Sequence, residues 1–144
     1  MQDYSIELAM TVTEYLKEDG WNYTFDEKNG MIHASVALQS ALAMSEFLID
    51  LNQDFYQIYA RVFVDLGPEQ APAMAVLLNE LNCRITFGHF EFGENGSLRY
   101  RLTVPFETMP GEKMLHNSFY LPACLLDHYA DEMLAVLQNP SEKA

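Results

Sequence analysis

The sequence predicts an α+β fold, an antiparallel sheet of about six strands with three helices, in the order α-β-β-β-β-α-β-β-α. Three observations carry that prediction. Met74, Leu77, Leu78 and Leu81 recur at i, i+3, i+4 and i+7, one stripe of a helix, and beyond them the apolar period falls to two. Two segments, 21–38 and 85–106, alternate apolar with polar residues around glycine-containing turns, as hairpins do. Both ends of the chain carry helical stripes of their own.

In the first helix Tyr4, Leu8, Val12, Tyr15 and Leu16 share one side, and Gly20 can end the helix in the left-handed conformation. Ile6 and Met10 lie on a different side. Trp21, Tyr23 and Phe25 then alternate with polar residues, as do Ile32, Ala34, Val36 and Leu38 after Asn29-Gly30. A two-residue turn at Asn29-Gly30 sets Phe25 opposite Ala34 and Tyr23 opposite Val36. Phe47, Ile49 and Leu51 make a third strand. A fourth runs from about Tyr56 to Leu66, with Ile58, Ala60, Val62 and Val64 on one face and Gln57, Arg61 and Asp65 on the other, so the sheet has a wet face.

The second helix begins near Pro72, whose fixed φ suits a first turn, and Asn82 reads as its C-cap, with Asn79 a buried amide. Ile85 and Phe87 have one parity and Phe90 and Phe92 the other, which predicts a β-bulge at Gly88. Pairing Phe92 with Leu98 across Glu94-Asn95-Gly96 sets Glu91 opposite Arg99 and turns Arg99 and Arg101 outward together. Pro105 places its strand at an edge or marks its end. Asn117 or Ser118 caps the last helix, Pro122 lies in its first turns, and Leu125, Leu126, Tyr129, Met133, Val136 and Leu137 form its stripe, with Leu134 off it. The tail after Gln138 frays.

A chain of 144 residues is expected to be one domain, 1–144, able to bury roughly two thirds of its unfolded surface without disulfide or metal. Its formal charge of −13 repels phosphate backbones and anionic lipid, so neither nucleic acid nor membrane is an expected partner. No run approaches the ~20 apolar residues of a membrane span, and the opening residues lack the order of a signal peptide, so the expected location is the cytoplasm. Cys83 and Cys124 are expected as packed free thiols.

No constellation demands a reaction. Cys124 and His128 are four apart on the last helix beside Asp127 and Asp131, which offers a thiol, a base and a carboxylate but no oxyanion donors or pocket; a solvated face accounts for them. His128 and Glu132 have metal-ligand spacing without a third ligand. Arg99, Arg101 and Arg84 concentrate basic charge on one hairpin, and can either recognise a carboxylate-bearing partner or simply balance Glu91.

Leu78-Asn79-Glu80-Leu81-Asn82, followed by Gly88-x-Phe90-x-Phe92 and Gly96-x-Leu98-Arg99-Tyr100-Arg101, resembles the YbjN family of bacterial proteins, which belongs with the type III secretion chaperone-like fold. The resemblance is close over residues 77 to 101 and loose over most of the rest, including the element order and Trp21 opening the first strand. It implies a fold more than an activity. It brings no catalytic motif and no cofactor. Family members look like small regulatory or chaperone-like proteins, and secretion chaperones of the wider fold are homodimers that hold an extended segment of another protein. The expected function is therefore a non-enzymatic protein-binding module, chaperone-like or regulatory. Ile6, Met10 and Leu134 serve a homodimer or a foreign partner, and Arg99 and Arg101 a partner's acids. The alternatives are a regulatory domain with a small ligand pocket under its sheet, or a small enzyme using Cys124 and His128.

Overall fold

The computed structural model describes residues 3–64, 66–92 and 97–138. Helix α1 (Ile6–Glu18) leads into strands β1 (Tyr23–Asp26), β2 (Met31–Ala37), β3 (Met44–Leu51) and β4 (Phe55–Val62). Helix α2 (Ala71–Arg84), strands β5 (His89–Phe92) and β6 (Leu98–Pro105), and helices α3 (Glu112–His128) and α4 (Ala130–Gln138) follow. The six strands form one antiparallel sheet in the order β1-β2-β3-β4-β6-β5. The fold class and element order are those expected, with one correction: the last helix is two helices, so the described residues form four rather than three. Only Tyr129 leaves helical geometry (φ −104°, ψ 9°), and its N–H still reaches the Leu125 carbonyl, so the apolar stripe runs across the break and conceals it from a periodicity argument.

Strand alternation puts Ile32, Phe47, Ile49, Tyr56, Ile58, Ala60, Val62, Leu98 and Tyr100 on one face, all buried, against Leu8, Val12 and Leu16 of α1, Met74 and Leu81 of α2, Phe119 and Leu126 of α3 and Met133 of α4. The helices therefore cover one face of the sheet. The Tyr56 hydroxyl and Ser118 Oγ, both buried, meet at 2.8 Å and tie β4 to α3, while Ser118 Oγ also donates to the Met114 carbonyl. None of the helices is long and apolar enough, over the described residues, to cross a membrane.

Local departures from the expected reading have identifiable causes. The first hairpin turns through four residues, because the Asp26 carbonyl accepts the Gly30 N–H while its carboxylate takes the Lys28 N–H and the Asn29 amide. Phe25 thus faces Ile32 and Tyr23 faces Ala34; the register is two residues from the expected one, which preserves which face each side chain takes. Strand β4 ends at Val62, and Asp65 lies outside the described residues, as do the Glu94-Asn95-Gly96 loop and the tail after Gln138. Pro105 ends an interior strand.

Helix α2 runs past Asn82 to Arg84, and Asn79 is exposed. Asn82 instead acts on β5: its amide donates to the Phe90 carbonyl (3.0 Å) and accepts the Phe90 N–H (2.8 Å), filling backbone positions of an edge strand. The parity change before Phe90 is not a bulge. Residues 85–88 precede the strand, with Gly88 at φ +70° and the Tyr100 hydroxyl donating to the Phe87 carbonyl (2.5 Å). Helix α3 is capped at Gly111, six to seven residues before the expected caps, so Asn117, Ser118 and Pro122 are interior. Both cysteines are exposed, not packed.

Candidate functional site

Among the described residues no helix covers the outer face of the sheet, and the strand registers lay its side chains out in three rows. The first runs Asp26, Met31, Asp50, Gln57, Thr103 across five strands. The second runs Thr24, His33, Leu48, Tyr59, Arg101, His89 across all six. The third runs Ser35, Glu46, Arg61, Arg99, Glu91. Beyond it Met44 and Phe63, 47% and 64% exposed, continue the face at the ends of β3 and β4.

In the third row two arginines stand side by side, each compensated by an acid on its far side. Arg61 pairs with Glu46, and Arg99 with Glu91 through both Nε (2.6 Å) and Nη2 (2.5 Å). Glu91 also receives His89 Nε2 (2.6 Å) and Arg101 Nη2 (3.3 Å). Burial opposes the charge on Glu91, but the hydrogen bonds from His89 and Arg99 and the charges of Arg99 and Arg101 outweigh it and hold its carboxyl below the ordinary range. Both guanidinium groups also lie over the Tyr59 ring, 4.9 Å away for Arg99 and 5.9 Å for Arg101, and Arg61 lies over Phe63 at 5.3 Å. Arg101 Nε is left buried without an acceptor.

Of these side chains Glu46, Tyr59, Arg61 and Arg99 line a concavity of about 420 Å³ on the open face, together with Met31, His33, Leu48 and Asp50. Asp50 makes no ion pair among the described residues. Burial pushes its carboxyl up, which the Asn52 side-chain hydrogen bond offsets only in part.

Arg99 and Arg101 are thus brought together as expected, but Arg84 is not with them: it pairs with Glu132 (3.3 Å), joining the end of α2 to α4. Ile6 and Met10 are exposed one turn apart on α1, at 49% and 66%. Leu134 is half-buried on α4, which packs against α2 and α3. Cys124 and His128 are exposed on α3, and Asp127 between them is engaged elsewhere, accepting the backbone N–H groups of Gln39 (3.0 Å) and Ser40 (2.9 Å). Burial opposes ionisation of Asp127, and the hydrogen bonding of the Ser40 side chain and of the Gln39 and Ser40 backbone prevails and lowers its carboxyl. No three His, Cys, Asp or Glu side chains converge for a metal among the described residues.

Sequence reasoning missed Tyr59, Leu48 and Asp50. The signal was present in β3, where Glu46, Leu48 and Asp50 alternate with the core residues Phe47, Ile49 and Leu51 and place an apolar side chain among outward acids. It also missed a junction at Asp19, whose Oδ2 accepts from Tyr120 (2.6 Å), Trp21 Nε1 (2.9 Å) and Tyr15 (3.4 Å) and fastens the end of α1 to α3.

In fold, the chain is similar to "Crystal structure of YbjN, a putative transcription regulator from E. coli", with a TM-score of 0.61 and 10% identity over 86% of this chain and 92% of that one. A weaker likeness, TM-score 0.49 and 12% identity over 87% of this chain and 96% of the other, is to the heterodimeric complex ExoU-SpcU from the type III secretion system of Pseudomonas aeruginosa. No curated protein sequence matches the chain. The YbjN model, described as "Putative bacterial sensory transduction regulator", matches residues 9–134, and with most of its length so matched the chain belongs to the YbjN family.

Proposed function

We propose that residues 1–144 act as one domain, a non-enzymatic regulatory module of a bacterial cytoplasm that works by binding protein through the outer face of its sheet. The observation that carries this reading is the face itself, where Leu48, Tyr59, Met31, Met44 and Phe63 lie among arginines and acids with no helix over them. An apolar centre within a charged rim is the anatomy of a protein interface. The family's description as a sensory transduction regulator agrees with a role exerted through partners. Arg99 and Arg101 belong to this surface, held by Glu91 and Tyr59. The concavity is open to solvent along the sheet, unlike the enclosed pocket that a small-ligand sensor needs. The Cys124–His128 pair stands on an exposed helix face, its neighbouring carboxylate committed to a loop, which favours no chemistry.

A second surface is favoured by Ile6 and Met10, whose exposure on α1 suits pairing of two copies of the chain. The two readings separate experimentally. Affinity capture from the native cytoplasm with the wild type, Leu48→Glu and Met10→Glu is expected to retain a specific protein with the first and third and to lose it with the second. Retention by Leu48→Glu, in a variant shown to be folded by circular dichroism, contradicts the outer-face reading.

A further inference from the structure

We infer that the outer-face concavity receives a lysine or arginine side chain presented by a basic segment of the partner, its cation on Asp50 and its stem against Leu48 and Met31. The inference rests on the outer-face reading above and adds the chemistry of what docks there. Among the described residues each arginine of this face already has its acid: Arg61 has Glu46, while Arg99 and Arg101 share Glu91. A foreign carboxylate must displace one of these bonds to bind. Asp50 lines the concavity without such a pair among the described residues. It stands in the first row between Met31 and Gln57, neither of which carries charge, on the wall of the concavity and half-buried. Asp26, across Met31 in the same row, adds a second negative charge, and Glu46 lies four residues back along β3 on the same face, beyond Leu48.

The apolar lining supplies the other half of the match. Leu48 is next to Asp50 along the outward side of β3, and Met31 is directly opposite Asp50 on β2, so an aliphatic stem can lie on both while its head reaches the carboxylate. The Tyr59 ring is taken by the protein's own guanidinium groups, which leaves the Leu48–Met31 side of the concavity for the incoming chain. At −13 the whole protein attracts a basic segment over a distance and repels an acidic one.

The test uses the full chain and a blocked pentapeptide, Gly-Leu-Lys-Leu-Gly, with a norleucine version in which only the ammonium is missing, titrated against ¹⁵N-labelled protein. The expected result is amide shifts confined to residues around 31, 48, 50 and 59 with the lysine peptide, weakened at least tenfold by Asp50→Asn, weakened again by raised salt, and lost with norleucine. Shifts spread over the acidic surface, equal binding by Asp50→Asn, or equal binding of the norleucine peptide overturns the inference. If free spermidine binds Asp50 as tightly as the peptide does, the occupant is a small amine and the protein-docking assignment falls. Capture distinguishes the two levels: a partner lost by Leu48→Glu yet kept by Asp50→Asn removes the cation inference and leaves the outer-face reading standing, whereas a partner kept by both removes the two together.

Discussion

Asn82 shows what a single amide contributes when a strand edge is short. Its two hydrogen bonds to Phe90 occupy the backbone donor and acceptor that β5 turns away from β6, and so close the middle of one sheet edge to foreign pairing. Asn82→Ala is expected to cost about 1–3 kcal/mol in urea denaturation, because Phe90 is left with an unsatisfied buried pair, and to speed hydrogen exchange at the Phe90 amide. Unchanged stability contradicts this role. Gly88 is constrained as strictly: at φ +70° an added Cβ meets the Tyr100 hydroxyl and lies 2.6 Å from the Arg101 carbonyl oxygen, so Gly88→Ala is expected to lower stability by about 1–3 kcal/mol or more. Both residues are conspicuous in the sequence, yet their roles were misread there. Asparagine after an apolar stripe and glycine at a parity switch have common local explanations, whereas the actual partners lie 8 and 12 residues away and depend on tertiary packing.

Glu91 gives the residue-scale account a pH dependence. Its folded carboxyl is lowered, so the stabilisation it brings is complete above the unfolded carboxylate range and is lost as pH falls through the folded value. Thermal melts from neutral to acid pH are expected to show Glu91→Gln less stable than the wild type near neutrality, with the gap closing as the solution is acidified. A gap that widens in acid reverses the sign and contradicts the network.

At the scale of elements, α3 is anchored to two different parts of the sheet, at β4 through Ser118 and Tyr56 and at the loop before β3 through Asp127. Asp127→Ala is expected to expose the Gln39 and Ser40 amides to exchange and to destabilise by about 1 kcal/mol, while Cys124→Ala, about one turn before it, and His128→Ala, next to it, both at exposed positions, stay within about 1 kcal/mol of the wild type. A turnover abolished by either of the latter two contradicts the non-enzymatic reading. The strands and their faces were legible because alternation is local and binary; the outward turn of Arg99 and Arg101 and the pairing of Glu91 with Arg99 followed from it. Hairpin loop length and helix starts were less legible. Asp26 builds a longer turn than its Asn-Gly pair suggests, and α3 begins on Gly111 with no side-chain cap to announce it.

At the scale of the whole molecule the two surfaces make separable claims. Pairing through Ile6 and Met10 is expected to give a light-scattering mass near twice 16.5 kDa at low micromolar concentration, reduced to 16.5 kDa by Met10→Glu. A mass of 16.5 kDa for the wild type at both low and moderate salt contradicts the dimer and leaves the α1 patch to a foreign protein. The mutual repulsion of two chains at −13 is screened within about 8 Å at physiological salt, so an apolar interface of roughly 800 Å² per copy can outweigh it. The candidate site was half legible from the sequence: its arginines were visible on a hairpin of known parity, but Asp50, Leu48 and Tyr59 join them only when β3 and β4 take their places between β2 and β6. The claim that this outer face is where the protein meets its partner is tested most directly by photo-crosslinking in the producing cell, with a photoreactive phenylalanine analogue at Tyr59 on the outer face or at Val76, exposed on α2. The account predicts a discrete adduct with another protein from position 59 and none from position 76; adducts from position 76 alone would contradict it.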